Sequence, residues 1–274
     1  MSTSPRRGSH TIVWSVLLLV ATSCTAATQA TNPEPDPSGP TASAHRIIDG
    51  DSLELNVGGE IIEARMIGIN TPEFDDCQGP AARDALAAVI EDQPLGIEEF
   101  GEDRFGRLLV ELSVDGNSVN EALVRAGWAL ALHGDERNWT AEMAQAADGG
   151  LGMWDAPDLC PPPEHSLQIV DIEPDPPGPD GDVLDQEWVE IENTSPVDQN
   201  LMGWVLRDES SSNRFEFGDV TLSVGQRLKL RTGCGDDSAT DIYWCSSNGV
   251  WSNRGETALL LAPSGAIADH LFIG

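Results

Sequence analysis

Arg65 stands inside the otherwise apolar run "ARMIGI", and Glu73 follows it just past a Thr71–Pro72 corner. An arginine in a half-buried strand lays its stem on apolar neighbours and needs an anion or a carboxylate for its head. A glutamate beside such a head is placed to orient or deprotonate a water. The pair therefore describes an anion site with a base at its edge. Downstream, "EDRFGR" supplies Asp103, Arg104 and Arg107, although a charge at the start of a strand is by default solvated. Upstream, "IDGDS" supplies Asp49 and Asp51, which read first as turn residues and only in company as part of a site. If the anion is a phosphate, two planar guanidiniums can each donate paired hydrogen bonds to the oxygens on which charge builds. Oxygen donors from Asp, Asn and carbonyl groups would suit a hard cation beside it.

Short elements must hold these residues. "HRIIDGDSLELNV" and "EIIEARMIGI" read as strands around a Gly-Gly turn, and "LGIEEF" and "GRLLVELSV" as two more around "GEDRFG". "GPAARDALAAVI" reads as a helix with Pro80 in its first turn, "SVNEALVRAG" as a short one closed by Gly127, and "TAEMAQAADGG" as a third. Five strands with interspersed helices suit a small OB-like barrel over residues 44–160. "PPPE" at 161–164 marks a linker. Beyond it, residues 165–274 break into short alternating runs between Asp, Asn, Gly and Pro turns, the texture of an immunoglobulin-like β-sandwich. The expected class is mainly β with some α.

Forty-six acidic residues face 15 basic ones, and Lys229 is the only lysine. That balance argues against non-specific nucleic-acid binding, which needs a broad basic footprint. At the N-terminus Arg6 and Arg7 precede "TIVWSVLLLVA", too short to span a membrane, and "ATSC" follows. Residues 1–24 thus read as a signal peptide whose end is similar to a bacterial lipoprotein signal, with Cys24 lipidated; a plain cleaved signal is the other reading. Residues 25–43 are a proline-rich tether. Cys77, Cys160, Cys234 and Cys245 remain. An even count in an exported chain implies two disulfides, with three connectivities open; 77–160 and 234–245 are favoured, because each pair brackets one segment.

Four stretches, "IDGDSLEL", "RMIGINTPE", "EDRFGRLLVEL" and "VNEALVRAGWA", resemble in order and spacing the staphylococcal (micrococcal) nuclease family over residues 44–158. The resemblance implies a calcium-dependent hydrolase of DNA and RNA phosphodiester bonds on an OB-type barrel. It places Arg65 and Arg107 on the phosphate and makes Glu73 the catalytic glutamate. It puts Asp51, Asn70 and the Thr71 carbonyl on Ca2+, with Asp49 nearby, and gives Arg104 and Asp103 substrate-binding positions. Three departures stand out. Asn70 replaces the usual aspartate, which lowers the charge at the cation. Phe105 replaces a tyrosine and loses its phenolic hydrogen bond. Residues 44–160 carry 24 acidic residues against seven arginines, so long-range attraction to DNA is weak.

"QEWVEIENTSP", "LMGWVLRD" and "GVWSNRGETALLLAPSGAIADHLF" resemble a lamin-tail domain over residues 165–274. Trp188, Trp204 and Trp251 are expected in its core rather than on a stacking platform. The sequence therefore predicts an extracytoplasmic, monomeric nuclease, lipid-anchored to the membrane through Cys24 or secreted. Its substrate is DNA or RNA, and its C-terminal module attaches to an unknown surface partner. The alternative is a catalytically weakened barrel serving as a surface binding or scaffold protein.

Overall fold

The computed structural model describes residues 42–273. The expected signal peptide, the lipidated Cys24 and nearly all of the tether lie outside the described residues. Among the described residues no helix is long and apolar enough to cross a membrane.

Strands β1 (Ala42–Ile47), β2 (Ser52–Val57) and β3 (Glu60–Met66) form an antiparallel meander. Its first strand starts two residues before the expected boundary, because Ala42 exchanges N–H···O bonds of 3.0 and 2.8 Å with Leu95. Gly58 and Gly59, both at positive φ (62° and 97°), make the β2–β3 turn, a backbone shape in which L side chains are strained. Next come β4 (Ile69–Asn70), helix α1 (Gly79–Ile90), β5 (Gly96–Glu102) and β6 (Leu108–Val114). β6 lies parallel to β3 and antiparallel to β5, giving the order β1-β2-β3-β6-β5, and the Ala42–Leu95 bridge closes the barrel. β7 (Asn117–Ser118) adds to β6; α2 (Val119–Arg125), β8 (Leu130–Ala131), paired with β4, and α3 (Thr140–Asp148) complete the domain.

The helices follow from their sequence. Ala82, Leu86 and Ile90 form one buried stripe on α1, four residues apart. The Ser118 hydroxyl accepts from Glu121 N–H at 3.2 Å and so caps α2. Asn120, fully buried, accepts from Leu112 N–H and donates to the Ile67 carbonyl, tying β6 to the chain just after Arg65.

The C-terminal domain is a sandwich. One sheet runs β9 (Gln168–Glu173), β10 (Trp188–Glu192), β15 (Arg227–Arg231) and β16 (Asp241–Tyr243). The other runs β13 (Arg214–Glu216), β12 (Val205–Arg207), β17 (Glu256–Leu261) and β18 (Ile267–Ile273), and a small pair joins β11 (Gln199–Asn200) to β14 (Thr221–Leu222). Trp204 and Trp251 are core residues, as expected. Trp188 is only half-buried, with the Lys229 ammonium 3.3 Å from its ring centroid.

The two domains share packing. Every residue of β17 is buried: Ala258 and Leu260 enter the sandwich core, while Leu259 and Leu261 enter the barrel core beside Val205. A strand in an antiparallel sheet usually keeps one polar face. Here the unbroken "ALLL" has apolar matter on both sides. Both disulfides form, Cys77–Cys160 and Cys234–Cys245. The first ties the turn after Glu73 to the end of the barrel domain, and Gly265 packs so close that a Cβ there would lie 2.7 Å from the Cys77 sulfur.

Candidate active site

Register brings the arginines together. Arg65 on β3 lies opposite Ser52 on β2 and opposite Leu109 on β6, two residues past Arg107. Both arginines, with Glu73 and Arg104, line one cleft of about 600 Å³.

The Arg65 guanidinium pairs with Asp51 Oδ1 through Nη1 and donates to Asn70 Oδ1 through Nη2 at 2.9 Å. Of its five N–H donors, those two contacts fix one edge and leave the rest for a ligand. Asp51 is buried beneath. Ser52 Oγ donates to its Oδ1 at 3.0 Å and Thr71 N–H to its Oδ2 at 2.8 Å. Burial pushes its carboxyl up to about 6, against the pull of Arg65 and with the push of Asp49. Asp49 Oδ1 accepts from the N–H groups of Asp51 and Ser52, which closes the DGD turn. The glycine of that turn is demanded by close approach: a Cβ on Gly50 would sit 2.8 Å from Thr71 Oγ1.

Arg107 is held in the same manner. Its Nε donates to Asp103 Oδ2 at 2.8 Å and its Nη1 to Ser52 Oγ at 3.4 Å. Asp103 Oδ1 accepts from Phe105 N–H and Arg107 N–H. Burial would raise the Asp103 carboxyl, but these hydrogen bonds and the Arg107 charge outweigh it and hold it below the usual range. Asp103, expected at the substrate, is thus engaged within its own turn and sets the aim of Arg107. Arg104 is exposed, its guanidinium carbon 4.8 Å from the centroid of the Phe105 ring, and Arg107 approaches the same ring at 5.6 Å. Phe105 is 69% exposed. Glu73 is exposed at the rim; its N–H donates to Asp76 Oδ2 and its carbonyl accepts from Asp76 N–H.

The expected cation ligands are oxygens only. Asp51 and Thr71 lie under the cleft and Asn70 at its floor, and the Thr71 hydroxyl is buried without a partner. Among the described residues no group of three or more His, Cys, Asp or Glu is gathered as a metal site. By donor type the set fits a hard divalent cation, with one carboxylate where tight sites hold several, and a cation there would share Asp51 Oδ1 and Asn70 Oδ1 with the Arg65 guanidinium.

Two features escaped the sequence reading. Ser52 links Asp51 to Arg107 through one hydroxyl. The other is a loop of the sandwich: Ser210, Ser211 and Ser212 line the cleft. Asn70 Nδ2 donates to the Glu209 carbonyl at 3.0 Å, a contact 139 residues away along the chain. "RDESSSNR" reads as a polar turn and signals nothing of this.

The fold and cleft define an OB-barrel protein whose cleft is lined by three arginines and three carboxylates, locked to an immunoglobulin-like sandwich. The family described as Staphylococcal nuclease homologue matches residues 63–156, and the Lamin Tail Domain matches residues 161–273. An "Uncharacterized endonuclease" of Escherichia coli O157:H7 is 27% identical over 120 residues, 43% of this chain and 78% of that protein. A "Micrococcal nuclease" of Shigella flexneri is 30% identical over 131 residues, 43% and 75%. "Protein ParB" of Escherichia coli is 31% identical over 130 residues, 43% and 73%. The chain belongs to the staphylococcal nuclease family and carries a lamin-tail domain behind its nuclease domain.

Proposed function

We propose that the chain, a nuclease by family, hydrolyses phosphodiester bonds of DNA or RNA in the cleft that holds Arg65, Glu73 and Arg107. The observation that supports this most is that both arginines line one cleft with Glu73, while their carboxylate, amide and hydroxyl partners engage only two of the five N–H donors of each. A phosphate entering there receives paired hydrogen bonds from two guanidiniums, each worth about 10²–10³-fold when charge develops on the oxygens. Glu73 takes a proton from a water whose oxygen attacks phosphorus, about 10²–10⁴-fold as a general base. The P–O bond to the leaving sugar oxygen breaks, and that oxygen takes its proton from solvent water, to which Glu73 later returns the one it accepted.

Calcium dependence belongs to this proposal. Asp51, Asn70 and Thr71 would hold the ion, which supplies charge neutralisation at the phosphate when bound. With a single carboxylate the site matches the weak range of extracellular modules, about 10⁻⁴–10⁻³ M. An extracytoplasmic setting, with anchoring through Cys24 or secretion, is supported by two disulfides and the leader-like N-terminus.

The test is cleavage of single-stranded DNA by the purified chain in millimolar calcium across a salt series, beside Glu73→Gln and an EDTA control. Wild type should cleave and both controls should not. Equal cleavage by wild type and Glu73→Gln sinks the assignment of the base. The second reading, a weakened barrel that only binds, draws on Asn70 and Phe105, and cleavage by wild type removes it.

A further inference from the structure

We infer that the sandwich loop Asp208–Asn213 is a working wall of the substrate cleft, its Ser211 and Ser212 hydroxyls donating to phosphate oxygens beside the scissile one. This rests on the nuclease reading of the same cleft.

The loop is built to present those two residues. Asp208 Oδ1 accepts from Ser210 N–H at 2.8 Å and Ser210 Oγ at 2.7 Å, and its Oδ2 accepts from Asn213 Nδ2 at 2.6 Å. Ser210 Oγ in turn accepts from Ser212 N–H and Asn213 N–H. The loop is thus pinned at its base, and the hydroxyls of Ser211 and Ser212 take no part in these bonds. Both residues are exposed and face the cleft of Arg65 and Glu73.

The acidic residues of the loop point elsewhere. Asp208 and Glu209 are 3% and 5% exposed. Glu209 Oε1 accepts from His133 N–H on the barrel and its Oε2 from Thr257 N–H on β17, both at 2.6 Å, and its carbonyl accepts from Asn70. One residue therefore clamps the loop to barrel and sandwich at once. In a chain this acidic, a wall facing a polyanion needs donors without carboxylates. Serine hydroxyls make such sequence-independent phosphate contacts. Buried carboxylates hold the loop, and neutral donors meet the ligand.

The experiment measures affinity of the full chain for a 5′-fluorescein oligothymidylate by fluorescence anisotropy, in the Glu73→Gln background. Adding Ser211→Ala and Ser212→Ala should weaken binding about a hundredfold, as loss of two hydrogen bonds to charged oxygens predicts. The thermal midpoint and the salt slope should not move, whereas Arg104→Ala should lower the slope by about one. In the cleaving protein the same serine pair should raise KM and leave kcat. Unchanged affinity, or no binding by the Glu73→Gln parent, overturns the inference. Equal cleavage by wild type and Glu73→Gln would strike the assignment of the base alone, and affinity is then read in EDTA, where turnover stops.

Discussion

Arg65 in the barrel and Arg207 in the sandwich are both strand arginines largely covered by protein, and they are used in opposite ways. Arg65 has a carboxylate and an amide on one edge and an open cleft on the other. Arg207 is 7% exposed and its Nε has no partner. Burial depresses its pKa against the attraction of Asp76 on the barrel and Asp208 on the sandwich. It sits at the domain junction, beside a cavity of about 40 Å³ lined also by Pro72 and Asp76. The same residue type thus lines an open cleft in one domain and a covered seam in the other. What separates them is whether the donors left after packing face space large enough for a ligand.

The largest effect is expected at the cleft. Arg107→Lys keeps the charge but loses the planar fork, and kcat should fall about 10²-fold; Arg207→Met should leave kcat unchanged in the same assay. Equal losses would mean the cleft arginines are not special. Next comes the seam. Replacing Cys77 and Cys160 by serine opens a loop of 83 residues, and denaturant unfolding should show a loss of about 4.5 kcal/mol. The Cys234–Cys245 pair closes 11 residues and should cost about 3 kcal/mol. Asn70→Asp then probes both sides of the contrast. It removes the donor to the Glu209 carbonyl and should lower stability by about 1–3 kcal/mol, while calorimetry should show tighter calcium binding. An unchanged midpoint would detach position 70 from the seam.

A further effect concerns pH. Burial first, then the charges of Asp208 and Glu209 against the opposing Ser252 N–H, raise the Glu256 carboxyl from 4.5 to about 9. The folded protein keeps a proton there that the unfolded chain gives up, so stability falls as pH rises from about 4.5 to about 9. Glu256→Gln should flatten that slope. Chemical denaturation at pH 5 and pH 8 would read it, and parallel curves would remove Glu256 as the cause.

The barrel was legible because its signals are local. "IDGDS" closes its turn on Asp49 within three residues, and "DRFGR" folds around Asp103 within four. The awkward arginine of "ARMIGI" pointed to the cleft, yet "WVLRD" carries the same signature at Arg207 and lines no such cleft. The sequence also hid the meaning of Asn70. Read along the chain it is a weakened cation ligand; in space its amide nitrogen meets a carbonyl that an aspartate would repel. Only "ALLL" carried a trace of the seam, since a doubly apolar strand in a sandwich needs cover on its second face.

That doubly covered strand changes what it means to cut the chain. The connector at 161–164 follows Cys160 and looks like a place where two domains can be parted. With Leu259 and Leu261 seated in the barrel core and Glu209 bonded to His133, a protease acting there would leave a nicked particle rather than two free pieces. Removing the sandwich genetically would instead strip the barrel of part of its own interior, so a barrel expressed alone is a different object from the barrel in this protein.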